Sequence, residues 1–191
     1  MCHLESQTPR MPDAQIDSIW QERRRGALEA TRDERYLPAM NLWVDADAAP
    51  RDVKEIVFRA AERLALTTIL VANQRVQIPA GHTFVIAVRV DGGPDVADRH
   101  IEAAAEVGDV AITADIPLAA ALVAKGVAVL DHRGEEFTLE NVGERLSVRD
   151  FMADLRSGGI ETGGPKAYSA RDKQAFASGL DRMLTRALRR R

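Results

Sequence analysis

From Asn41 onward, short apolar runs alternate with amphipathic stretches, and this alternation leaves few folds open to the chain. The runs NLWV (41–44), TTILVA (67–72), TFVIAV (83–88), DVAIT (109–113) and VAVL (127–130) have the length and β-branched content of buried strands. Between the first two, Val53, Ile56, Val57, Ala60, Ala61 and Leu64 recur at helical spacing behind Pro50, a residue suited to a first helical turn. A second helix is predicted from Val96 to Val107. A third opens at Pro117 and closes at Gly126, which takes the position just past a helix end. Strand, helix and strand at such short spacing require right-handed crossovers, hence a mostly parallel sheet covered by helices on both faces. The expected fold is a three-layer α/β/α sandwich.

The flanks differ from this centre. Residues 1–39 carry mixed charge with one amphipathic stretch, Ile16 to Leu28, and are expected to form a flexible extension, with Met40 a possible start of the biological chain. Residues 40–156 make the α/β domain. Within it DHRGEEFT (131–138) predicts a turn or hairpin about Arg133-Gly134, and Leu139 to Leu155 predicts a helix. Residues 157–191 read as a linker and a basic helix, capped by Ser169 and striped with Phe176, Leu180, Leu184 and Leu188.

Charge and composition exclude several classes. The net charge of −3 argues against a protein that coats nucleic acid without specificity. From Gly164 onward, however, eight Lys/Arg stand against Asp172 and Asp181, so a tail starting at Lys166 has the means to hold phosphates or to be a solvated helix face. No apolar run approaches the roughly 20 residues that span a bilayer. The polar amino terminus lacks a signal-peptide core, so a cytoplasmic location with no membrane partner is expected. Cys2 stands alone, which rules out an internal disulfide and a four-cysteine zinc site.

The chemistry concentrates in the acids. VDADAAP (44–50) puts Asp45 and Asp47 directly after the first strand; Asp115 follows DVAIT by two residues; Asp95 and Asp98 begin the helix leading into that strand. Ligands of open parallel sheets bind beyond the carboxyl ends of the strands, so acids from three segments are expected at one edge. Carboxylates crowded together need raised pKa values or a cation. No Lys or Arg interrupts VDADAAP or ITADIP, and no His joins the set, which favours Mg²⁺ or Mn²⁺ over zinc. Four of the acids also have a structural reading: Asp47, Asp95 and Asp115 as helix caps, and Asp98 as a first-turn acid favoured by the helix dipole. Asp45, in contrast, ends an apolar strand where no cap needs it. Asn73, after the second strand, donates to a phosphate or holds a turn. His82 and His100 have no partner at metal-ligand spacing.

The motifs MNLWVDADAAP, ILVANQ, VDGGPDVADRHI, GDVAITADIPLAAALVAKG, DHRGEEFT and GGPKAYSARDKQAF, in this order, resemble the bacterial YaiI/YqxD family of uncharacterised proteins. That family is similar in turn to PIN-like and NYN-type nuclease domains. The resemblance implies a PIN-like fold in which Asp45, Asp98 and Asp115 hold Mg²⁺ or Mn²⁺, with Asp47 and Asp95 as further ligands or their supports. It implies that Thr113 hydrogen-bonds a ligand; Thr113, Asn73 and Lys166 at the start of the basic tail are the candidate substrate-binding residues. Where the family pattern reads Asp-Ala-Asp-Ala-Cys-Pro, this chain has Ala49; a metal mechanism needs no thiol, so the substitution favours the aspartates over a cysteine as the working groups. The expected activity is metal-dependent hydrolysis of phosphodiesters, with RNA as partner. Two rival readings remain at this level: a non-catalytic RNA- or protein-binding module and, more weakly, a phosphatase using Asp-x-Asp, whose downstream catalytic Lys is poorly matched by Lys125, late in its helix rather than at a strand end.

Overall fold

The four residues of β1, Leu42–Asp45, are buried throughout, as a central strand requires. The computed structural model describes residues 40–93, 95–159 and 166–189; the predicted amino-terminal extension lies outside the described residues. β1 pairs in parallel with β2 (Thr68–Ala72) on one side and β4 (Val110–Ile112) on the other. With β3 (Val85–Arg89), β5 (Ala128–Leu130) and β6 (Glu136–Phe137), the strand order is β3-β2-β1-β4-β5-β6, and only β6 runs antiparallel. The fold is α/β with a mostly parallel sheet. β6 forms the second arm of the hairpin predicted about Arg133-Gly134.

The helices are α1 (Arg51–Leu64), α2 (Val96–Ala104), α3 (Ile116–Ala124), α4 (Val142–Ser157) and α5 (Ala170–Arg189). From β1 the chain steps outward through α1 to β2, whereas β3 returns through α2 to β4 on the other side of β1. Right-handed crossovers therefore place α1 and α2 on opposite faces, and the direction of winding switches between β1 and β4. Side-chain alternation agrees. Leu42 and Val44 join Val53, Val57 and Ala61 of α1 in one core, so Trp43 and Asp45 face the side of α2 and α3.

Helix α5 completes that first core. Phe176, Leu180, Met183 and Leu184 are all within 2% of full burial, whereas Leu188 of the predicted stripe is 37% exposed. The segment set apart by its basic composition thus supplies apolar packing to α1 and β5. Its start is a reciprocal cap: Asp172 accepts from the Ser169 backbone N–H and hydroxyl, and Ser169 Oγ accepts the Asp172 N–H. Lys173 pairs with Asp52 of α1, Asp181 with Arg63 and Arg186 with Glu136 of β6. α5 also meets the β5–β6 turn backbone to backbone. A Cβ on Gly179 would lie 2.8 Å from the Gly134 carbonyl oxygen, and one on Gly134 (φ +83°) would overlap the Ala175 carbonyl.

Helix α2 ends at Ala104, short of the predicted Val107, because of a buried acid just beyond it. Asp109, only 3% exposed at the entrance to β4, accepts the Glu106 N–H at 3.1 Å and draws the chain out of the helix. The same carboxylate accepts the Asn41 N–H and the Trp43 indole N–H, both at 2.9 Å, and so ties β1 to β4. Asp109→Ala leaves these three donors without it. Two of them, from Asn41 and Trp43, are buried; at about 1–3 kcal/mol for each unsatisfied buried group, the expected loss of stability is at least ~2 kcal/mol. Urea denaturation measures it; a midpoint within error of the parent chain refutes the assignment.

Candidate active site

The switch in winding direction opens a crevice between the carboxyl ends of β1 and β4, and both strands end in acids there. Asp45 is 6% exposed, and its Oδ2 accepts the Thr113 hydroxyl at 3.2 Å. Thr113 Oγ1 in turn accepts the Asp115 N–H at 3.0 Å, so one hydroxyl links the acids of the two strands. Asp115 caps α3 by accepting the Leu118 N–H at 2.8 Å, which bears out the capping reading without using its second oxygen. Asp47 caps no helix; its Oδ2 accepts the Asn73 N–H at 2.6 Å and joins the β1–α1 turn to the end of β2. Asp95 precedes α2 with φ +58° and makes no side-chain cap, and Asp98 lies in the first turn of that helix.

These five aspartates line one pocket of about 350 Å³, together with Asn73 and the small residues Ala48, Ala97 and Ala114. Among the described residues, no Lys, Arg or His is on its walls. The electrostatic result is clearest at Asp98. Burial, followed by the charges of Asp115, Asp45, Asp95 and Asp47, pushes its carboxyl up to about 6. Burial also raises Asp45, opposed by its hydrogen bonds from Thr113 and from the Ala48 N–H. The acids therefore share a single field. Among the described residues, however, no three His, Cys, Asp or Glu side chains are grouped to hold a metal ion directly.

The other residues named from sequence are placed as follows. Thr113 is 1% exposed and its hydroxyl is engaged on both sides, so it orders the acids from behind the pocket. Asn73 lines the pocket, and its side-chain oxygen is buried with no hydrogen-bond partner among the described residues. Lys166 is exposed and is not on the pocket wall; its carbonyl accepts from Arg133. Trp43 is core. Lys125 Nζ donates to the Glu102 and Ala103 carbonyls at the end of α2 remote from the acids, a position that removes the phosphatase reading's cation. Ala49 packs in the core, so a larger thiol at that position would also be a packing group.

Sequence reasoning missed a second cavity, of about 600 Å³, beside the first. It lies between α1 and the β2–β3 connection and shares Asp47 and Asn73 with the acidic pocket. Its signal in the sequence was the lack of helical periodicity in residues 73–84, between two strands that prove to be parallel.

Comparison with known proteins supports a single family. The profile described as "Uncharacterized BCR, YaiI/YqxD family" matches residues 43–186. A UPF0178 protein of Myxococcus xanthus is 56% identical over 150 residues, covering 78% of this chain and 97% of the relative. A UPF0178 protein of Trichlorobacter lovleyi is 55% identical over 151 residues, with 78% and 97% covered, and one of Bordetella bronchiseptica is 52% identical over 152, with 80% and 94% covered. No solved structure gives a significant match.

Proposed function

This chain belongs to the YaiI/YqxD family, and from that premise we propose that its acidic pocket binds Mg²⁺ or Mn²⁺ and hydrolyses phosphodiester bonds of RNA. The observation that carries the reading is the convergence of five aspartates in one pocket: burial and the four other carboxylates raise the proton affinity of Asp98, and among the described residues no cationic side chain stands on the walls. Such a field favours a divalent cation over any neutral occupant.

The donor set fits a hard cation, with a qualification about how it is held. Direct capture by three carboxylates does not match the spacing. Mg²⁺, however, keeps several waters and takes only one or two carboxylates directly, the rest coming from substrate phosphate. Asp45 and Asp115, linked through Thr113, are assigned as the direct pair, with Asp47, Asp95 and Asp98 acting through water. When bound, the ion lowers the pKa of a coordinated water and polarises phosphoryl oxygens. The chain's own contribution is to orient. Thr113 holds the Asp45 carboxylate against β4, the Asn73 N–H fixes Asp47, and burial at the strand ends limits competing water.

The direct test is cleavage of end-labelled single-stranded RNA and DNA by the purified chain with and without Mn²⁺. Shortened product only with metal is the expected result; failure to cut any nucleic acid offered overturns the proposal.

A pH dependence follows from Asp98. The folded chain holds this proton up to about pH 6, whereas an unfolded carboxyl releases it near 3.8. Between these values the native state binds more protons, so this group costs the metal-free fold stability as pH rises through the window. A divalent cation relieves the repulsion only where the acids are ionised. Mn²⁺ is therefore expected to raise the melting temperature at pH 7.5 and to have much less effect at pH 5, as read by thermal shift. Equal shifts at both values would contradict the assignment.

A further inference from the structure

The 600 Å³ cleft beside the acids exists because residues 73–84 join parallel strands without a helix, leaving the flank of α1 uncovered. Its chemistry is mixed, with the carboxylates of Asp47 and Glu55 set among cations, where the acidic pocket shows, among the described residues, carboxylates alone as its charged groups. Arg51, Lys54 and Arg75 stand on its walls, Phe58 and Val76 give it an apolar side, and the amides of Gln74 and Gln77 lie among them. Two of the cations are engaged. Arg51 pairs with Glu55, and Lys54 Nζ donates to the Ala46 carbonyl at 3.0 Å, whereas Arg75 is exposed and forms no ion pair among the described residues. The wall shared with the acids carries a buried, unpartnered acceptor, Asn73 Oδ1.

An apolar wall, side-chain amides and a free guanidinium are what a heterocycle bearing a phosphate requires, and the volume falls within the range of small-molecule sites, about 300–1,000 Å³. We infer that this cleft is a subsite for one unpaired nucleotide of the substrate strand, with its base on the Phe58–Val76 side within reach of the Gln74 and Gln77 amides, and its phosphate held by Arg75. A base enters such a cleft only when it is unpaired, so the preferred substrate is single-stranded. As a guide for the scissile bond the subsite rests on the hydrolytic reading above; as a binding site it stands on its own residues.

The two are separated by calorimetric titration of the intact chain with adenosine 5′-monophosphate in EDTA, where the metal plays no part. Saturable binding is expected. Arg75→Ala should weaken it about tenfold, the loss of one charge-assisted contact, while Asp45→Asn leaves it within about twofold of the parent. In Mn²⁺-dependent cleavage Arg75→Ala should raise KM for RNA and spare kcat. No binding by the parent chain, or inorganic phosphate binding as tightly as the nucleotide, overturns the inference. Nucleotide binding by a chain that cuts nothing supports the subsite and sinks the hydrolytic reading; cleavage without nucleotide binding does the reverse.

Discussion

A chain ending at Tyr168 is expected not to fold. Helix α5 contributes Phe176, Leu180, Met183 and Leu184 to the core shared with α1 and the sheet, each almost fully buried. At roughly 1.5–3 kcal/mol per buried large apolar side chain, their removal forfeits about 6–12 kcal/mol. Domains of this size have only about 5–15 kcal/mol in total. The ion pairs from Lys173, Asp181 and Arg186 add orientation and little energy, because they lie at the surface. Circular dichroism of the truncated chain should show no cooperative melt. A truncated chain that melts as sharply and as high as the full one would mean that α5 is an appendage. This bears on the binding-module reading, since deleting the basic tail would remove the fold along with the charges. Charge reversal at exposed Arg182 and Arg189 tests phosphate contact without that confusion.

Asp45→Asn is expected to lower Mn²⁺-dependent cleavage by roughly a hundredfold or more, since replacing even an indirect support of a metal site costs about 10–100-fold. The amide keeps the volume of the side chain and still accepts the Thr113 hydroxyl, so the fold survives. With one carboxylate fewer, the repulsion at Asp98 also falls, and the metal-free melting temperature should stay level or rise. Adding Asp115→Asn should cost less than the product of the two single effects, because groups that act as a unit are not additive. Single-turnover kinetics and Mn²⁺ calorimetry read both quantities. Cutting at the parent rate by the Asp45 variant would remove the pocket from the mechanism.

The sheet was legible because its evidence is local: each strand is an apolar run and each turn has a Pro, a Gly or an acid at its end. The gathering of Asp45, Asp47, Asp95, Asp98 and Asp115 in one pocket followed from topology, since every one of them sits at a strand end or helix start on the same edge. What escaped depended on pairings between distant segments. Asp109 looks like an ordinary residue ahead of DVAIT until Asn41, Trp43 and Glu106 turn their donors toward it. The apolar stripe of α5 was legible, but its packing into the core of the α/β domain was not, because the basic residues and the linker ahead of it set the segment apart. The metal geometry was not legible either, because backbone amides of Asn73 and Leu118 claim oxygens of Asp47 and Asp115, and no spacing rule reports that.

The Thr113 hydroxyl has a single proton to give. Because the amide of Asp115 already donates to its oxygen, that proton must go forward to Asp45, and the chain of bonds acquires a direction. Asp45 is thereby cast as a permanent recipient, held toward its anionic form against the burial that opposes it. A serine in the same place would preserve this polarity, whereas a valine of equal bulk would erase it and leave the innermost acid free to take up a proton of its own.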